Sequence, residues 1–188
     1  LTFDFGVCTD ENGDIEPQLI EMQGFPSLFC FQVLQEQACR EVFNIPSHMD
    51  TFLSCTSEEH VRDLKKLFVG DTDVNEVILL DHEPEHQKTK VDFAATKKLL
   101  GIEAVCVTKL KQNGKELYYE KNGKSQKISK IYNRLIFEEF YQTKITHVDL
   151  RQDLNVDWVP HPNWFCRISK YLLPFVKSEF VPKTTFVS

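Results

Sequence analysis

Glycine is scarce in this chain, seven residues in 188 against fifteen phenylalanines, so the core should be rich in aromatic rings. No internal repeat and no low-complexity linker interrupts it. No apolar run approaches the roughly 20 residues that a membrane-crossing helix needs. Positive charge is not in excess: the net charge of -6 argues against a non-specific nucleic-acid binder, which needs a basic surface. There is no C-x-x-C pair. The six cysteines (8, 30, 39, 55, 106 and 166) fall mostly inside apolar runs, which favours free core thiols in a cytoplasmic protein over disulfides or a zinc site. The first residues read as a strand and not as the apolar region of a signal peptide. What is present is an ordinary globular mix, 41% hydrophobic and 27% charged, long enough for one sizeable domain with a real core. The chain starts in mid-strand at Leu1 and stops at Val181-Pro-Lys-Thr-Thr-Phe-Val-Ser188, so we expect a piece of a longer protein.

The opening carries the first candidate for chemistry. Leu1-Thr-Phe-Asp4-Phe-Gly6-Val7 and Pro17-Gln-Leu-Ile-Glu21-Met-Gln23 are short apolar runs on either side of an acidic Asp-Glu-Asn-Gly turn. If they pair as a hairpin, Asp4, Glu21 and Gln23 could face one spot, where hard oxygen ligands suit a divalent cation. Glu21 and Gln23, two apart, point to one face of a strand. The bland alternative is a pair of solvated strand-edge acids, although an unpaired carboxylate within an apolar run is costly.

Downstream, Gly24-Phe-Pro26-Ser27 supplies a turn and an N-cap for a helix from about Ser27 to Phe43, with Leu28, Phe31, Leu34, Ala38 and Val42 at helical spacing. A second helix starts at Thr56-Ser57, buries Val61, Leu64, Leu67 and Phe68, and ends at Gly70. Glu76–Leu80 reads as a strand covered on both faces, followed by the acidic loop Asp81–His86, a helix from about Thr89 to Leu100, and a buried strand at Glu103–Val107. That is a βαβ unit with parallel strands. Ligands in such sheets sit at the carboxyl ends of strands, which puts the Asp81–His86 loop in a functional place. Lys115–Tyr119 and Gln126–Ile131 flank a hairpin turn at Asn122-Gly123. The stretch from Ile131 to Phe140 turns helical towards its end, and Asn163 caps a last helix through Trp164, Ile168, Tyr171 and Leu172 that Pro174 bends or ends. The expectation is one α/β domain over residues 1–188, a largely parallel sheet with flanking helices and a β-hairpin.

Several other residues are two-sided. Glu83 and Glu85 could hold an amine or peptide group, or be exposed loop acids. Arg134 could pair a substrate carboxylate in bidentate fashion, or brace the acidic loop. Ser27 is an N-cap alone, or one that also meets a ligand at the helix's positive end. His82 and His86 stand at i, i+4, but Pro84 between them speaks against a zinc-binding helix. No His-Asp arrangement supports Cys166 as a nucleophile.

The order Phe3-Asp4-Phe5, a glycine-bearing turn, Leu19-Ile-Glu21-Met-Gln23 and Pro26-Ser27 resembles the glutathionylspermidine synthase-like group of ATP-grasp ligases, which shows Arg-Phe-Asp-Phe, then Leu-(Leu/Ile)-Glu-Tyr-Asn, then Thr-Pro-Thr-Ser. Glu83-Pro-Glu85 with the helix ending at Leu100-Gly101-Ile102 is similar to that family's Asp-Pro-Glu-Glu segment and helix ending in Ala-Gly-Ile. The hairpin through Lys115-Glu-Leu-Tyr, Asn122-Gly123 and Ile128 is similar to its Gly…Asp-Gly-x-x-Ile hairpin. Pro162-Asn-Trp164 and Ile168-Ser-Lys170-Tyr-Leu-Leu-Pro174 are similar to its Pro-x-Trp and Leu-Ser-Asn-Lys-Ala-Leu-Leu-Pro. Motifs that are weak singly keep one order over nearly the whole chain.

The resemblance implies a pre-ATP-grasp-like fold, with Asp4, Glu21 and Gln23 as magnesium ligands and Lys170 on an ATP phosphate. It implies a carboxylate–amine ligase that makes an acyl phosphate from a peptide or amino-acid carboxylate for attack by an amine substrate. Neutralising the transferring phosphoryl group is the main catalytic effect in such reactions. The substrate-binding candidates are then Ser27, Glu83, Glu85 and Arg134, with no catalytic residue of its own. The ATP-binding lobe would belong to the remainder of the same polypeptide, beyond Ser188, so magnesium and ATP would bind the full-length protein. Three departures stand out: Thr2 replaces the family's Arg, Gln23 replaces its Asn, and Tyr132-Asn-Arg134-Leu-Ile-Phe-Glu138 stands where the family has a Pro-Trp-Glu-Trp type of segment. They leave open a second expectation, a relative that kept the fold as a non-catalytic binding or interaction module.

Overall fold

A computed structural model describes residues 1–49, 52 and 55–187 of the chain. They gather into two compact units: Leu1–Pro26 together with the chain from Pro160 onward, and Ser27–Val159.

In the first unit, β1 (Thr2–Thr9) and β2 (Ile15–Gln23) pair antiparallel, with Asp4 opposite Glu21 and a register shift directly after Asp4. The turn between them is held by one side chain. Asp10 Oδ1 accepts the N–H groups of Asn12 and Asp14, each at 2.8 Å, and Gly13 takes the left-handed conformation at φ 89°.

The second unit is layered on a parallel sheet. Its elements in chain order are α1 (Phe29–Val42), α2 (Ser57–Phe68), β3 (Val77–Asp81), α3 (Lys90–Leu100), β4 (Glu103–Cys106), β5 (Lys111–Asn113), β6 (Glu116–Lys121), β7 (Lys124–Ile128), β8 (Lys130–Asn133), α4 (Phe137–Gln142) and β9 (Asp157–Val159). Four strands form the parallel sheet in the order β4-β3-β8-β9, and β5-β6-β7 form a separate antiparallel sheet. Along β3 every residue is buried, as a strand covered on both faces must be. Val77 and Leu79 pack with Leu64, Phe68, Phe93 and Leu100 from the helices. Ile78 and Leu80 pack with Leu117 and Ile128 of the small sheet and with Leu135, Phe140 and Leu150. The chain is therefore a mixed α/β protein with a parallel sheet, flanking helices and an antiparallel hairpin. Among the described residues no helix is long and apolar enough to cross a membrane.

The βαβ expectation holds: β3 and β4 are parallel with Ile78 opposite Glu103, and Gly101 at φ 80° closes α3. Four other expectations are corrected. Ser27 does not cap α1. The cap position is Leu28, itself left-handed at φ 68°, and the orphan N–H groups go to Asp92 of α3 instead. The buried side of α1 is Cys30, Val33 and Glu36, not the predicted stripe, and Val42 is exposed. Glu36 can turn inward because Ser57 Oγ donates to it at 3.0 Å and Arg40 pairs with it. On α2, Leu67 is exposed. Finally, the last predicted helix breaks after one turn, α5 (Trp164–Arg167), and resumes as a 3-10 segment, Lys170–Phe175. The carbonyl of Ile168 is taken by the N–H of Gly24 at 3.1 Å, and Pro174 has no N–H to offer the ladder. The cysteines are free, but Cys8 and Cys166 are exposed and not in the core.

Candidate functional site

The hairpin brings together the residues singled out at the start of the chain. Two carboxylates directly opposite on an antiparallel pair repel one another. Here the side-chain amide of Gln23 relieves that repulsion, its Nε2 donating to Asp4 Oδ2 at 2.6 Å and to Glu21 Oε1 at 2.8 Å. The other oxygen of Glu21 faces Lys170 Nζ at 3.2 Å. The Gln23 hydrogen bond first, and Lys170 second, hold the Glu21 carboxyl below the usual carboxylate range. The hairpin register shifts between Asp4 and Phe5, an irregularity of the kind common next to functional sites.

Lys170 reaches this place because the 3-10 segment that carries it packs on the end of β2. Gly24 makes the approach possible: a Cβ at that position would lie 2.6 Å from the Trp164 carbonyl oxygen and 2.7 Å from Ile168 Cβ. Glu21, Gln23, Phe25, Phe165, Ser169 and Lys170 line a cavity of about 460 Å³. Four sequence-selected residues, far apart in the chain, thus share one polar cluster.

The donor set of two carboxylates and one amide is hard oxygen chemistry of the kind magnesium takes. Asp4 and Glu21 each aim one oxygen at a common point, where the Gln23 amide nitrogen now stands. A cation there would take the place of the N–H groups, with the amide presenting its oxygen instead. Lys170 supplies a compact charge suited to a phosphate oxygen. Among the described residues no group of three or more His, Cys, Asp or Glu could hold a metal, so such a site would depend on the Gln23 oxygen and on ligands from outside the trio.

The remaining candidates lie in the second unit, and they do not all meet. Arg134 follows β8 and lines a cavity of about 410 Å³ with Asp81, His82, Lys88, Thr89 and Glu139. Glu83 is exposed, left-handed at φ 47°, and stands 3.6 Å from His86 Nδ1. Glu85 faces a different, shallower cavity beside Lys90 and Phe93. Ser27 stands one residue before the start cap of α1. His82 and His86 hold no shared metal geometry among the described residues.

Sequence reasoning placed the Asp81–His86 loop at a functional strand end but singled out neither Asp81 nor Glu139 as a site residue. Asp81 is 8% exposed, and burial pushes its carboxyl up to about 6, partly countered by the His82 N–H and by the charge of Arg134. The signal available in the sequence was an acid closing an all-apolar strand, Val77–Asp81. No protein-family model matches the chain, and no curated protein matches it.

Proposed function

We propose that the chain is the substrate-side portion of an ATP-dependent carboxylate–amine ligase of the glutathionylspermidine synthase-like type, with a pre-ATP-grasp-like fold. The observation that supports this reading is the convergence of Asp4, Glu21, Gln23 and Lys170, four residues matched by motif to metal and phosphate contacts, at one point of the first unit. In this reading Asp4 and Glu21 hold magnesium, with the amide oxygen of Gln23 completing the set from the protein. Lys170, now paired with Glu21, would supply the positive charge for a phosphate oxygen. The magnesium, when bound, would supply charge neutralisation of the phosphates. The chain's own contribution in this unit would be the three oxygen ligands for the cation and the ammonium group of Lys170 for a phosphate oxygen. The acid and amine substrates belong to the second unit, with Ser27, Glu83, Glu85 and Arg134 as their candidate contacts.

A second reading, a binding module without ligase chemistry, has one observation on its side. The hairpin cluster is self-satisfied: each acid already accepts from Gln23, and Glu21 is paired with Lys170.

Magnesium titration of the intact protein, with and without ADP or ATP, separates the two. The ligase reading expects nucleotide-dependent magnesium binding that Asp4→Asn abolishes, and ATP affinity that falls about tenfold or more in Lys170→Ala, the loss of one charged phosphate contact. Magnesium and nucleotide binding unchanged by both substitutions removes the hairpin from any such site and leaves the second reading.

A further inference from the structure

The order of the parallel sheet singles out one crevice in the second unit. From β3 the chain leaves to β4 on one side, and after β4 it returns to β8 on the other side, from which it goes on outward to β9. The connections that follow β3 and β8 therefore depart in opposite directions, and between the carboxyl ends of these two strands lies a topological switch point. Open α/β sheets bind their ligands outside the carboxyl ends of the strands at such a point. The 410 Å³ cavity is there: Asp81 ends β3 and Arg134 follows β8, its N–H bonded to the Leu80 carbonyl at 2.9 Å. Its volume falls in the ~300–1,000 Å³ range of small-molecule sites.

The lining is of both signs. Asp81 is a carboxylate more than nine-tenths buried that nevertheless borders the cavity, and Glu139 adds a second acid from α4. Arg134 and Lys88 supply positive charge, and Thr89, the start cap of α3, brings the positive end of that helix to the same wall. Leu135, Ile136 and Phe140 form an apolar side. The His82–Gln87 loop that closes the rim is braced, Gln87 Nε2 donating to the His82 carbonyl at 2.7 Å. A carboxylate costs free energy to bury; Asp81 Oδ1 accepts the His82 N–H at 2.7 Å, and desolvated acids that line a cavity are common at functional sites. A ligand that carries both charges can meet both signs of this wall at once.

We infer that this crevice binds a small zwitterion of the amino-acid type, its ammonium group on Asp81 and Glu139 and its carboxylate on Arg134 and the start of α3. The inference stands on the second unit alone and does not need the hairpin cluster to bind magnesium or nucleotide.

The test is a backbone amide NMR titration of the intact protein with L-alanine, L-glutamate and L-lysine, each at millimolar concentration, alongside N-acetyl-L-alanine and L-alanine methyl ester, which each lack one charge. Saturable shifts at His82, Gln87, Leu135 and Ile136 are expected for at least one free amino acid. Both singly charged analogues should bind at least about tenfold more weakly, since each meets only one sign of the wall. Asp81→Asn should weaken binding by a similar factor, and Glu139→Gln, an exposed site whose substitution leaves the fold intact, should weaken it less. Asp4→Asn and Lys170→Ala should leave it unchanged, so loss of the hairpin reading would not touch this one. Absence of shifts at these amides for every amino acid, or equal binding of the N-acetyl analogue, overturns the inference.

Discussion

At the scale of single residues, Asp81 is where structure and electrostatics meet. Burial at the end of β3 raises its carboxyl from 3.8 in an open chain to about 6 in the fold. Between those two values the folded protein holds a proton that the unfolded chain has lost. Stability from this residue is therefore fully present below about pH 4 and falls as pH rises through 6. The difference corresponds to something on the order of 2–3 kcal/mol at neutral pH. Asn at this position has no charge to desolvate. Urea unfolding of the wild-type protein and of Asp81→Asn at pH 4 and pH 7.5 should show the variant gaining on the wild type by about that amount at the higher pH only. An equal difference at both values would mean that the carboxyl is not held up by burial. A variant more stable yet weaker in ligand binding is the usual signature of a strained functional group.

At the scale of elements, the start of α1 is a tertiary device and not a local one. Asp92, fully buried on α3, accepts the N–H groups of Phe31 at 2.9 Å, Cys30 at 3.0 Å and Leu28 at 3.3 Å, a partner 64 positions away in the chain. Burial holds its carboxyl above the usual carboxylate range, and the three donors counter that only in part. Asp92→Ala leaves buried donors without an acceptor and should cost about 2–4 kcal/mol, with Asp92→Asn costing less because one acceptor oxygen survives. Ser27→Ala should stay within about 0.5 kcal/mol, as a residue outside the cap does. Chemical denaturation of the three variants checks the assignment, and a Ser27 effect as large as that of Asp92 would restore the local cap. The same contrast shows what the sequence can and cannot disclose. Elements set by local signals were legible: the hairpin around Gly13, the capping box Thr56–Glu59 that begins α2, the apolar β3 and the Gly101 stop. The convergence of Glu21 and Gln23 was legible because period-two geometry dictates it. Hidden were the features that depend on distant partners. Asp92 outcompetes Ser27, Ser57 lets Glu36 turn inward, and Gly24 ends α5 by taking the Ile168 carbonyl. The switch point was hidden too, since Lys130 and Ile131 read as the end of a hairpin strand and the residues from Ile131 on as the approach to a helix. In the structure β7 stops at Ile128, and Ser129 passes the chain to the parallel sheet, its N–H bonded to Glu76 and its carbonyl to Asp157.

At the scale of the whole molecule, large apolar side chains are exposed in both units. Along β1 alternate residues face out: Phe3 and Phe5 are each 49% exposed and Val7 is 82% exposed. The opposite face carries Asp4 and Gly6 and leads to the polar cluster. A two-stranded sheet alone is marginal in water, and what steadies this one on the described residues is the chain that returns from Pro160, with Leu19 N–H bonded to the Phe180 carbonyl at 2.7 Å. The outward phenylalanines add little to that, because rings left half in water contribute only part of their transfer free energy. They do leave apolar side chains exposed on one face of β1 in a chain whose net charge is -6. Exposed apolar surface binds hydrophobic dyes. Replacing both rings, Phe3→Ser with Phe5→Ser, should lower the fluorescence of bound anilinonaphthalene sulfonate substantially while shifting unfolding free energy by no more than about 1 kcal/mol. If the double substitution instead costs several kcal/mol and leaves dye binding unchanged, those rings are buried in solution and the outward face of β1 is a core face.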